Sequence, residues 1–487
     1  MGTVWFRGAC YMLLFLTCVV VCARVRSRNV RQAVLLISSI ALYLTWQPWF
    51  AAVLFTSIIV NFLIGRWLRV TRHWLPLCVG VMFNLILLSA FKYVPDLTLH
   101  LLPAALQPLA RLALPLGISF WTFQALSYVF DLYRGEELDP SFAEFALYMA
   151  FFPVTISGPV CRMPDMLPQF RSEETTRWSD IAAGFRRIAI GFFLMQLGKL
   201  LGQGILAGDG IVSGFDHATQ WTGPDVWCLT FGYGLQLFFD FAGYSHMAIG
   251  AAKALGVTVP ENFERPFAST NPSIFWTRWH MSLSFWIRDY VFFPLAPLRR
   301  ELWWRNLALA LSMVVFGLWH KATLLFLIWG SYQGVLLVLH RQVQKLERRA
   351  NWNPPTLWIP LSWAATVVLI SFGWIFFRAN STSQARAMLA AIVTPASYSS
   401  HFLSTSLYVL LAVLAGGYAL ALLITDALDH QPGGAEAVAS KSSGLVALIA
   451  RWRWYWLPAV YALALLFVLM ITLTQQGGVG QMMYRGF

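Results

Sequence analysis

Two histidines in this sequence occupy settings where an imidazole could do chemistry. His320 follows Trp319 inside a long apolar run, and His280 follows Trp279 40 residues earlier. An ionisable side chain at membrane depth is costly, so it usually faces a water-filled cavity and serves a function. A neutral imidazole can take the proton from a hydroxyl as that oxygen attacks a carbonyl, which accelerates a reaction by about 10²- to 10⁴-fold. Proton relay and a structural role in the core are the alternatives for either histidine.

Motifs for other chemistries are missing from the sequence. No H-x-x-x-H or H-E-x-x-H pattern accompanies the histidines, and the six cysteines show no metal-ligand spacing. The sequence also contains neither a G-x-S-x-G nucleophile elbow nor a Walker A loop. We therefore predict no metal site and no bound cofactor. The residues alone leave two classes of protein open, a transferase and a proton-coupled transporter.

The composition indicates that the elements carrying these histidines lie in a membrane. Of the 487 residues, 58% are hydrophobic and only 12% are charged, about half of the roughly 25% charged residues found in soluble domains. The mean hydropathy is +0.60. This composition excludes an ordinary soluble enzyme, a disordered chain and a nucleic-acid-binding domain. We expect a single integral membrane domain over residues 1–487, with no nucleic-acid partner.

The basic residues give a net charge of +13 and stand in clusters between apolar runs. Clusters of this kind mark cytoplasmic loops. Two of them occupy residues 24–31 and 66–73, and the apolar stretch between them is interrupted at Trp46-Gln47-Pro48-Trp49. Because proline and a polar residue favour a break in a helix, we predict a hairpin of two spans that returns both clusters to the cytoplasmic side.

The apolar runs predict an all-α polytopic membrane fold. At about 20 residues per crossing, and allowing for runs broken by proline or glycine, we predict about 11 to 13 transmembrane and re-entrant helices. The last two spans are predicted at Leu403–Ile424 and Trp456–Thr474. A flexible linker rich in Gly, Ser and Ala is predicted between them at Asp426–Gly444.

The polar stretch Pro260–Arg305 is unusual in this apolar chain. Charged residues alternate there with Phe, Trp and Tyr, which is typical of a segment that lies in the headgroup plane or lines the mouth of a polar cavity. Residues 277–290 have helical spacing, so His280 and Ser284 should share one face of a helix. Basic residues flank the later apolar stretch on both sides, so His320 should lie near the turn of two short helices or of a re-entrant pair.

Several sequence motifs, in the same order along the chain, resemble those of the membrane-bound O-acyltransferase (MBOAT) family. The resemblance is to its bacterial branch, which contains alginate O-acetyltransferases and teichoic acid D-alanyl transferases. The tandem Arg278-Trp279-His280 and Leu318-Trp319-His320 are the most specific of them. The other phrases are Leu114–Tyr128 with Tyr133-Arg134-Gly135, Phe151-Phe152-Pro153 with Ser157-Gly158-Pro159, Phe239–Ser245, Pro260–Phe263 and Gly373–Ala379. The resemblance covers about residues 30–390, which we take as the core, with C-terminal transmembrane helices at about 403–474.

This resemblance implies a ring of helices around a central tunnel, with His320 as the catalytic histidine and His280 as the second active-site histidine. It implies transfer of acetyl from cytoplasmic acetyl-CoA across a bacterial inner membrane, for O-acetylation of an exported polysaccharide that is alginate-like, cellulose or peptidoglycan. The partners it implies are a periplasmic SGNH-hydrolase-like acetyltransferase, a polysaccharide synthase and export complex, and membrane lipids.

Five further residues are predicted to contact substrate. Trp279 and Trp319 would form walls of the cavity, and Asn262 would form a hydrogen bond near the cytoplasmic mouth. Arg288 and Asp289 would lie on the donor side, where basic residues suit the phosphates of CoA. Packing or helix capping is the alternative role for each of these residues.

The sequence departs from the family pattern at three places. His246 follows Tyr244-Ser245 where aspartate is common, and Lys321 follows His320 where glycine is common. Residues 296–300 read Ala-Pro-Leu-Arg-Arg where Gly-Gly-Asn-Arg is common. These departures concern the shape of the tunnel, the choice of donor and the docking of a partner. They leave open D-alanyl transfer to teichoic acid, polysaccharide or proton-coupled transport, and an inactive scaffold.

Overall fold

A computed structural model describes the chain at residues 2–45, 48–95, 114–205, 208–218, 220–352 and 355–429. Within these residues every regular element is a helix, and one isolated bridge pairs Phe263 with Trp279. The all-α polytopic fold predicted from the composition is therefore confirmed.

The chain forms runs of long apolar helices with groups of short helices between them. The first half comprises α1 (Gly2–Arg24), α2 (Arg28–Leu44), α3 (Pro48–Thr71), α4 (Trp74–Lys92), α5 (Ile118–Tyr133), α6 (Phe142–Ala150), α7 (Phe152–Thr155), α8 (Met163–Arg171) and α9 (Trp178–Gln203). The second half comprises α10 (Ile211–His217), α11 (Gly223–Ala254), α12 (Pro272–Arg278), α13 (Met281–Ile287), α14 (Leu302–His320), α15 (Leu324–Arg349), α16 (Trp358–Arg378), α17 (Thr382–Val393) and α18 (Thr405–Asp429). A π-helical turn at Arg288–Phe292 follows α13 directly.

Seven helices in the described part of the chain are long and apolar enough to cross a membrane, namely α3, α4, α9, α14, α15, α16 and α18. The predicted hairpin of α2 and α3 is present, since one helix ends at Leu44 and the next begins at Pro48. The first residues of the linker predicted at Asp426–Gly444 are helical, because α18 continues to Asp429, and the rest of that segment lies outside the described residues. The span predicted at Trp456–Thr474 lies outside the described residues, so the count of 11 to 13 segments stays a prediction.

One face of the molecule collects several of the arginines that flank the helices. Arg31, at the start of α2, donates to the backbone carbonyls of Ser172 and Glu174, and Arg69, at the end of α3, contacts Asp139. We call this side the basic face; its ion pairs include Arg69 with Asp139, Arg171 with Glu144, Arg187 with Glu261, Lys253 with Asp180, and Arg162 with Asp289. The opposite face carries the end of α4, the start of α11 and the ends of α14 and α16.

The antiparallel pair α9 and α11 forms the tightest seam of the fold. A Cβ atom added to Gly191 would lie 2.4 Å from the carbonyl oxygen of Gly243, and one added to Gly184 would lie 2.6 Å from that of Gly250. Such close backbone approach is how small residues stabilise helix pairs in a membrane. The seam fixes α11 in the interior, where it presents Leu237 to the candidate site.

The hairpin of α14 and α15 carries His320 at its turn, where the sequence predicted one. Both helices are long, with 19 and 26 residues, so the prediction of short helices is wrong. A glycine again permits close packing. A Cβ atom on Gly317 would lie only 2.4 Å from the carbonyl oxygen of Phe326, so a larger residue would not fit between the two helices. The hairpin begins and ends at the basic face, where Arg341 donates to Asn306 at 3.4 Å. His320 therefore lies at the opposite end of α14.

Candidate active site

His280 and His320 line the same buried cavity. Its volume is about 10 Å³, close to the smallest space that holds one water molecule. The other lining residues are almost all aromatic: Leu237, Phe241, Trp276, Trp279, Phe316, Trp329, Trp374 and Phe377. The two histidines that the sequence singled out, 40 positions apart, are thus brought to one small apolar chamber, which we call the histidine cavity.

His320 is held by aromatic rings on several sides and is only 5% exposed. Its ring stacks on that of Phe316 with centroids 5.4 Å apart and an interplanar angle of 19°. The rings of Trp319 and Phe377 lie 4.7 and 5.0 Å away. These neighbours come from α14 and α16, so the imidazole sits in a buried and mostly aromatic environment.

His280 has a backbone conformation that is rare outside glycine. Its φ is 46° and its ψ is 51°, the left-handed region, where strain often marks functional positions. The residue separates α12 from α13, so the single helix predicted over residues 277–290 is wrong. The helical spacing continues through this point, but the bridge between Phe263 and Trp279 and the bond from the Met281 N–H to the Asn262 carbonyl, 2.9 Å, turn the chain.

The His280 side chain has no polar contact with the described part of the chain. It is 1% exposed, and neither of its ring nitrogens has a hydrogen-bond partner there. Its nearest ring neighbour is Phe241, with centroids 4.6 Å apart in an edge-to-face arrangement. Buried polar atoms are almost always hydrogen-bonded in folded proteins. Two orphan nitrogens facing a cavity therefore indicate atoms that bond to water or to a substrate.

Trp279 and Trp319, both predicted as walls of the cavity, are both buried, but of the two only Trp279 lines the histidine cavity. Trp279 lines the histidine cavity and stacks on Phe275 at 5.3 Å. Trp319 contacts both histidines, with ring centroids 4.7 Å from His320 and 6.5 Å from His280. Contact of either tryptophan with a substrate stays a prediction.

Asn262 is buried next to the turn at His280, where its backbone carbonyl accepts from the Met281 N–H. It is fully buried, its amide nitrogen donates to the Ser245 hydroxyl at 3.0 Å, and its side-chain oxygen accepts from the Ser282 hydroxyl at 2.5 Å. The Ser282 hydroxyl in turn accepts from the Val160 N–H at 3.0 Å. These bonds hold the strained turn at His280 in place. The observed contacts of Asn262 are thus structural, and its role as a hydrogen-bonding residue near the cytoplasmic mouth stays a prediction.

Arg288 and Asp289 belong to a second polar region at the basic face, which we call the charged cluster. It comprises Asp131, Arg134, Arg162, Arg288, Asp289 and Tyr290. Arg162 donates to one carboxylate oxygen of Asp289 at 2.7 Å, and Arg288 donates to the other at 2.7 Å. Burial raises the pKa of Asp289, but the hydrogen bonds from Arg288 and Arg162 outweigh it and hold that pKa below its usual value. Asp289 therefore stays ionised at neutral pH.

Tyr290 links this cluster to the interior. Its ring lies between two guanidinium groups, with the Cζ atoms of Arg134 and Arg162 at 4.9 and 5.1 Å from the ring centroid. Its hydroxyl donates to Asp131 at 2.7 Å. The other carboxylate oxygen of Asp131 is buried without a hydrogen-bond partner in the described residues. Three arginines face two carboxylates here, so the cluster has an excess of positive charge.

A continuous row of aromatic rings joins the charged cluster to the histidine cavity. Tyr290 contacts Trp286 at 5.0 Å, Trp286 contacts Phe123 at 4.4 Å, and Phe123 contacts Trp319 at 5.1 Å. The Trp286 indole also donates to the Phe123 carbonyl at 3.1 Å. The two polar regions are therefore connected through buried apolar contacts that cross from the basic face towards the opposite face.

Sequence reasoning missed several residues of both regions. Arg134 and Trp374 stood in phrases that carried the family resemblance, so the signal existed but gave them no role. Arg162 had no such signal, because only the fold brings it to Asp289. Of the departures from the family pattern, Lys321 is exposed at the turn after α14 and does not line the histidine cavity. Its effect on the shape of that cavity is therefore indirect.

The fold and the site together define a multi-pass membrane protein with a buried histidine pair. The family model for membrane-bound O-acyltransferases matches residues 47–382. The chain belongs to this family, and it is an O-acyltransferase.

Three relatives indicate the branch of the family. The chain is 33% identical over 404 residues to the probable alginate O-acetylase AlgI of Pseudomonas aeruginosa, covering 80% of this chain and 74% of the relative. It is 31% identical over 398 residues to the peptidoglycan O-acetyltransferase of Helicobacter pylori, covering 74% and 73%. It is 29% identical over 330 residues to the teichoic acid D-alanyltransferase of Bacillus subtilis, covering 62% and 77%.

Proposed function

We propose that this protein transfers acetyl from cytoplasmic acetyl-CoA, across a bacterial inner membrane, for O-acetylation of an exported polysaccharide. The single observation that carries the proposal is the pair His280 and His320 in one buried aromatic cavity. The basic face would be cytoplasmic by the charge rule for membrane proteins. A periplasmic SGNH-hydrolase-like partner would receive the acetyl group and pass it to the polymer.

The charged cluster is the proposed entry for the donor. Arginine binds phosphate through paired, charge-assisted hydrogen bonds, and this cluster carries Arg134, Arg162 and Arg288 at the basic face. The row of aromatic rings leads from there to the histidines and would line the path of the pantetheine arm and its thioester. Because the histidine cavity holds about 10 Å³, an acetyl group enters only if side chains such as Trp279 and Phe316 move.

The proposed chemistry is general-base acyl transfer. His320 accepts the proton from the acceptor hydroxyl as its oxygen bonds to the thioester carbonyl carbon. The carbon–sulfur bond then breaks, and the imidazolium returns the proton to the CoA thiolate. His280, whose ring nitrogens have no partner in the described part of the chain, is placed to hydrogen-bond the carbonyl oxygen. An acyl-imidazole on His320 is the alternative order of the same steps.

Alginate and peptidoglycan are the acceptors suggested by the names of the relatives. The acetylases match a larger share of this chain than the D-alanyl transferase does, which favours acetyl over D-alanyl. An acidic carrier protein would nevertheless suit the same basic face, so D-alanyl transfer is the second candidate.

Release of free thiol from acetyl-CoA by the purified protein tests the proposal. We expect the wild type to release thiol and His320→Ala to release at least about 100-fold less, because a general base contributes about 10²- to 10⁴-fold. His340→Ala is the matched control, since His340 lies on α15 and does not line the cavity; it should retain full activity. Equal release by wild type and His320→Ala would contradict the proposal.

Two further assays separate the alternatives. Transfer from a D-alanyl carrier protein, with no turnover of acetyl-CoA, would favour the D-alanyl reaction. Movement of a polysaccharide into vesicles that contain no acyl donor would favour transport. Each outcome replaces the proposed function with a named alternative.

A further inference from the structure

Two residues at the end of α4 contact the helix turn that carries His320. The Tyr93 hydroxyl donates to the backbone carbonyl of Trp319 at 3.2 Å. The Lys92 ammonium lies 4.5 Å from the centroid of the Trp319 ring. One helix end therefore contacts both the backbone and the side chain of the residue that precedes His320.

The last turn of α14 is weakly closed by its own hydrogen bonds. The final carbonyl groups of a helix have no partner within the helix. The Lys321 N–H does reach back to the Gly317 carbonyl, but at 3.4 Å, beyond the usual range for such bonds. The Tyr93 hydroxyl thus supplies a bond from outside the helix where the helix itself provides little.

Lys92 connects three helices at this point. Besides lying over the Trp319 ring, it donates to the Ser119 hydroxyl of α5 at 3.2 Å. The attraction of an ammonium group for an indole face holds the ring in place. Phe120 and Phe123 of α5 contact the same ring at 6.2 and 5.1 Å. A shift of Trp319 would move the adjacent His320 imidazole, 4.7 Å away.

We propose that Lys92 and Tyr93 are positioning residues that keep the His320 imidazole in its reactive place by fixing Trp319. Neither of them lines the histidine cavity, and both contact the turn of His320 at Trp319. This inference rests on the proposed function for its kinetic consequence, because misplacing a catalytic group by a fraction of an ångström slows the chemical step.

Two minimal variants test this role. Tyr93→Phe removes only the hydroxyl, and Lys92→Met removes only the charge from a side chain of similar length. We expect each to lower kcat by about three- to tenfold, with the KM for the donor and the melting temperature unchanged. Lys92→Arg should restore kcat, because a guanidinium also stacks on an indole ring.

Tyr332→Phe is the matched control for the lost hydroxyl. Tyr332 also donates to a backbone carbonyl, that of Leu369 at 2.9 Å, but it joins α15 to α16 away from the turn. We expect this variant to keep the wild-type kcat. Wild-type kcat in Tyr93→Phe and Lys92→Met would overturn the inference, and so would a loss of kcat that follows a loss of folded protein.

A second readout does not depend on activity. The NMR signal of the His320 ring in ¹³C-histidine-labelled protein, assigned by its disappearance in His320→Ala, reports the position of Trp319 through the ring current. We expect this signal to shift in Tyr93→Phe and Lys92→Met but not in Tyr332→Phe. If the wild type released no thiol from acetyl-CoA, the proposed function would fail while this readout still decided the positioning role. An unshifted signal in both variants would overturn it.

Discussion

The polar side chains of the histidine cavity and of the charged cluster have opposite surroundings. In the cavity, the imidazoles of His280 and His320 are surrounded by rings, and none of the described residues that line it carries a carboxylate or a guanidinium group. In the cluster, Asp289 receives hydrogen bonds from Arg162 and Arg288 and stays ionised. Dry surroundings strengthen interactions with charge that develops during a reaction, whereas fixed cations suit a ligand that is already anionic. On the proposed function, this difference favours chemistry in the histidine cavity and donor binding at the charged cluster.

After the loss of the His320 imidazole, removal of the His280 imidazole is the change in the cavity with the largest expected effect. We expect His280→Ala and His280→Asn both to lower kcat by about 10²-fold or more, since each loses the ring that faces the cavity. Thiol release from acetyl-CoA at saturating donor measures the effect. Transfer at the wild-type rate in both variants would remove His280 from the mechanism.

The two His280 variants also separate chemistry from folding. Asparagine tolerates a positive φ better than alanine does, so His280→Asn should melt closer to the wild type than His280→Ala. Equal losses of activity with unequal melting temperatures would show that the imidazole, and not the strained turn, carries the function. If the variant with the lower melting temperature also lost more activity, the loss would reflect folding and not the missing imidazole.

A change in the charged cluster should produce a different kinetic signature. We expect Arg162→Gln to raise the KM for acetyl-CoA by about tenfold, the usual value of a charge-assisted hydrogen bond, while kcat stays within about twofold. Arg69→Gln is the matched control, because Arg69 lies on the same face and pairs with Asp139 outside the cluster; its KM should not change. Donor titrations of both variants measure this.

The result for Arg162→Gln can also contradict the assignment of different roles to the two regions. If Arg162→Gln lowered kcat and left the KM unchanged, the cluster would contribute to the chemical step and the division of roles would be wrong. A weaker KM effect at high salt than at low salt would support the charge argument, since salt screens exposed charges.

The sequence predicted the parts of the site that depend on local patterns. The tandem Trp-His phrases identified His280 and His320, and the Pro48 region marked the break between α2 and α3. The turn at His280 was not predictable in this way, because residues 277–290 keep a helical period. Tertiary bonds from the segment that contains Asn262 override that period.

Contacts between distant segments account for the rest of what the sequence left out. Arg134, Arg162 and Asp289 come together only because α5, α8 and the π-helical turn meet at the basic face. Lys92 and Trp319 likewise meet because α4 and α14 end on the same face. No periodicity or spacing in a single sequence predicts these contacts between distant residues. They become visible only when the packing of the helices is known.

An ion pair outside both regions provides the smallest expected effect and a reference for the others. Glu144, at the start of α6, accepts from Arg171 at 2.8 Å and from its own helix-capping residue Ser141 at 2.7 Å. The hydrogen bond from Arg171 is the main cause that lowers the pKa of Glu144 to about 2. Glu144→Gln keeps the capping geometry but loses the charge. We expect a melting temperature lower by about 1 to 3 °C at pH 7, with kcat and KM unchanged.

The pH dependence of this difference follows from the depressed pKa. The pKa of a glutamate in an unfolded chain is about 4.3. The ion pair therefore contributes its full stabilisation above that pH, and this stabilisation is lost as the pH falls towards 2. The gap in melting temperature between wild type and Glu144→Gln should therefore be constant from pH 8 to about pH 5 and narrow below about pH 4. A difference in melting temperature that widened as the pH fell would contradict a lowered pKa of Glu144. A fall in kcat without a change in melting temperature would instead connect this pair to the charged cluster, and the basic face would then act as one functional surface.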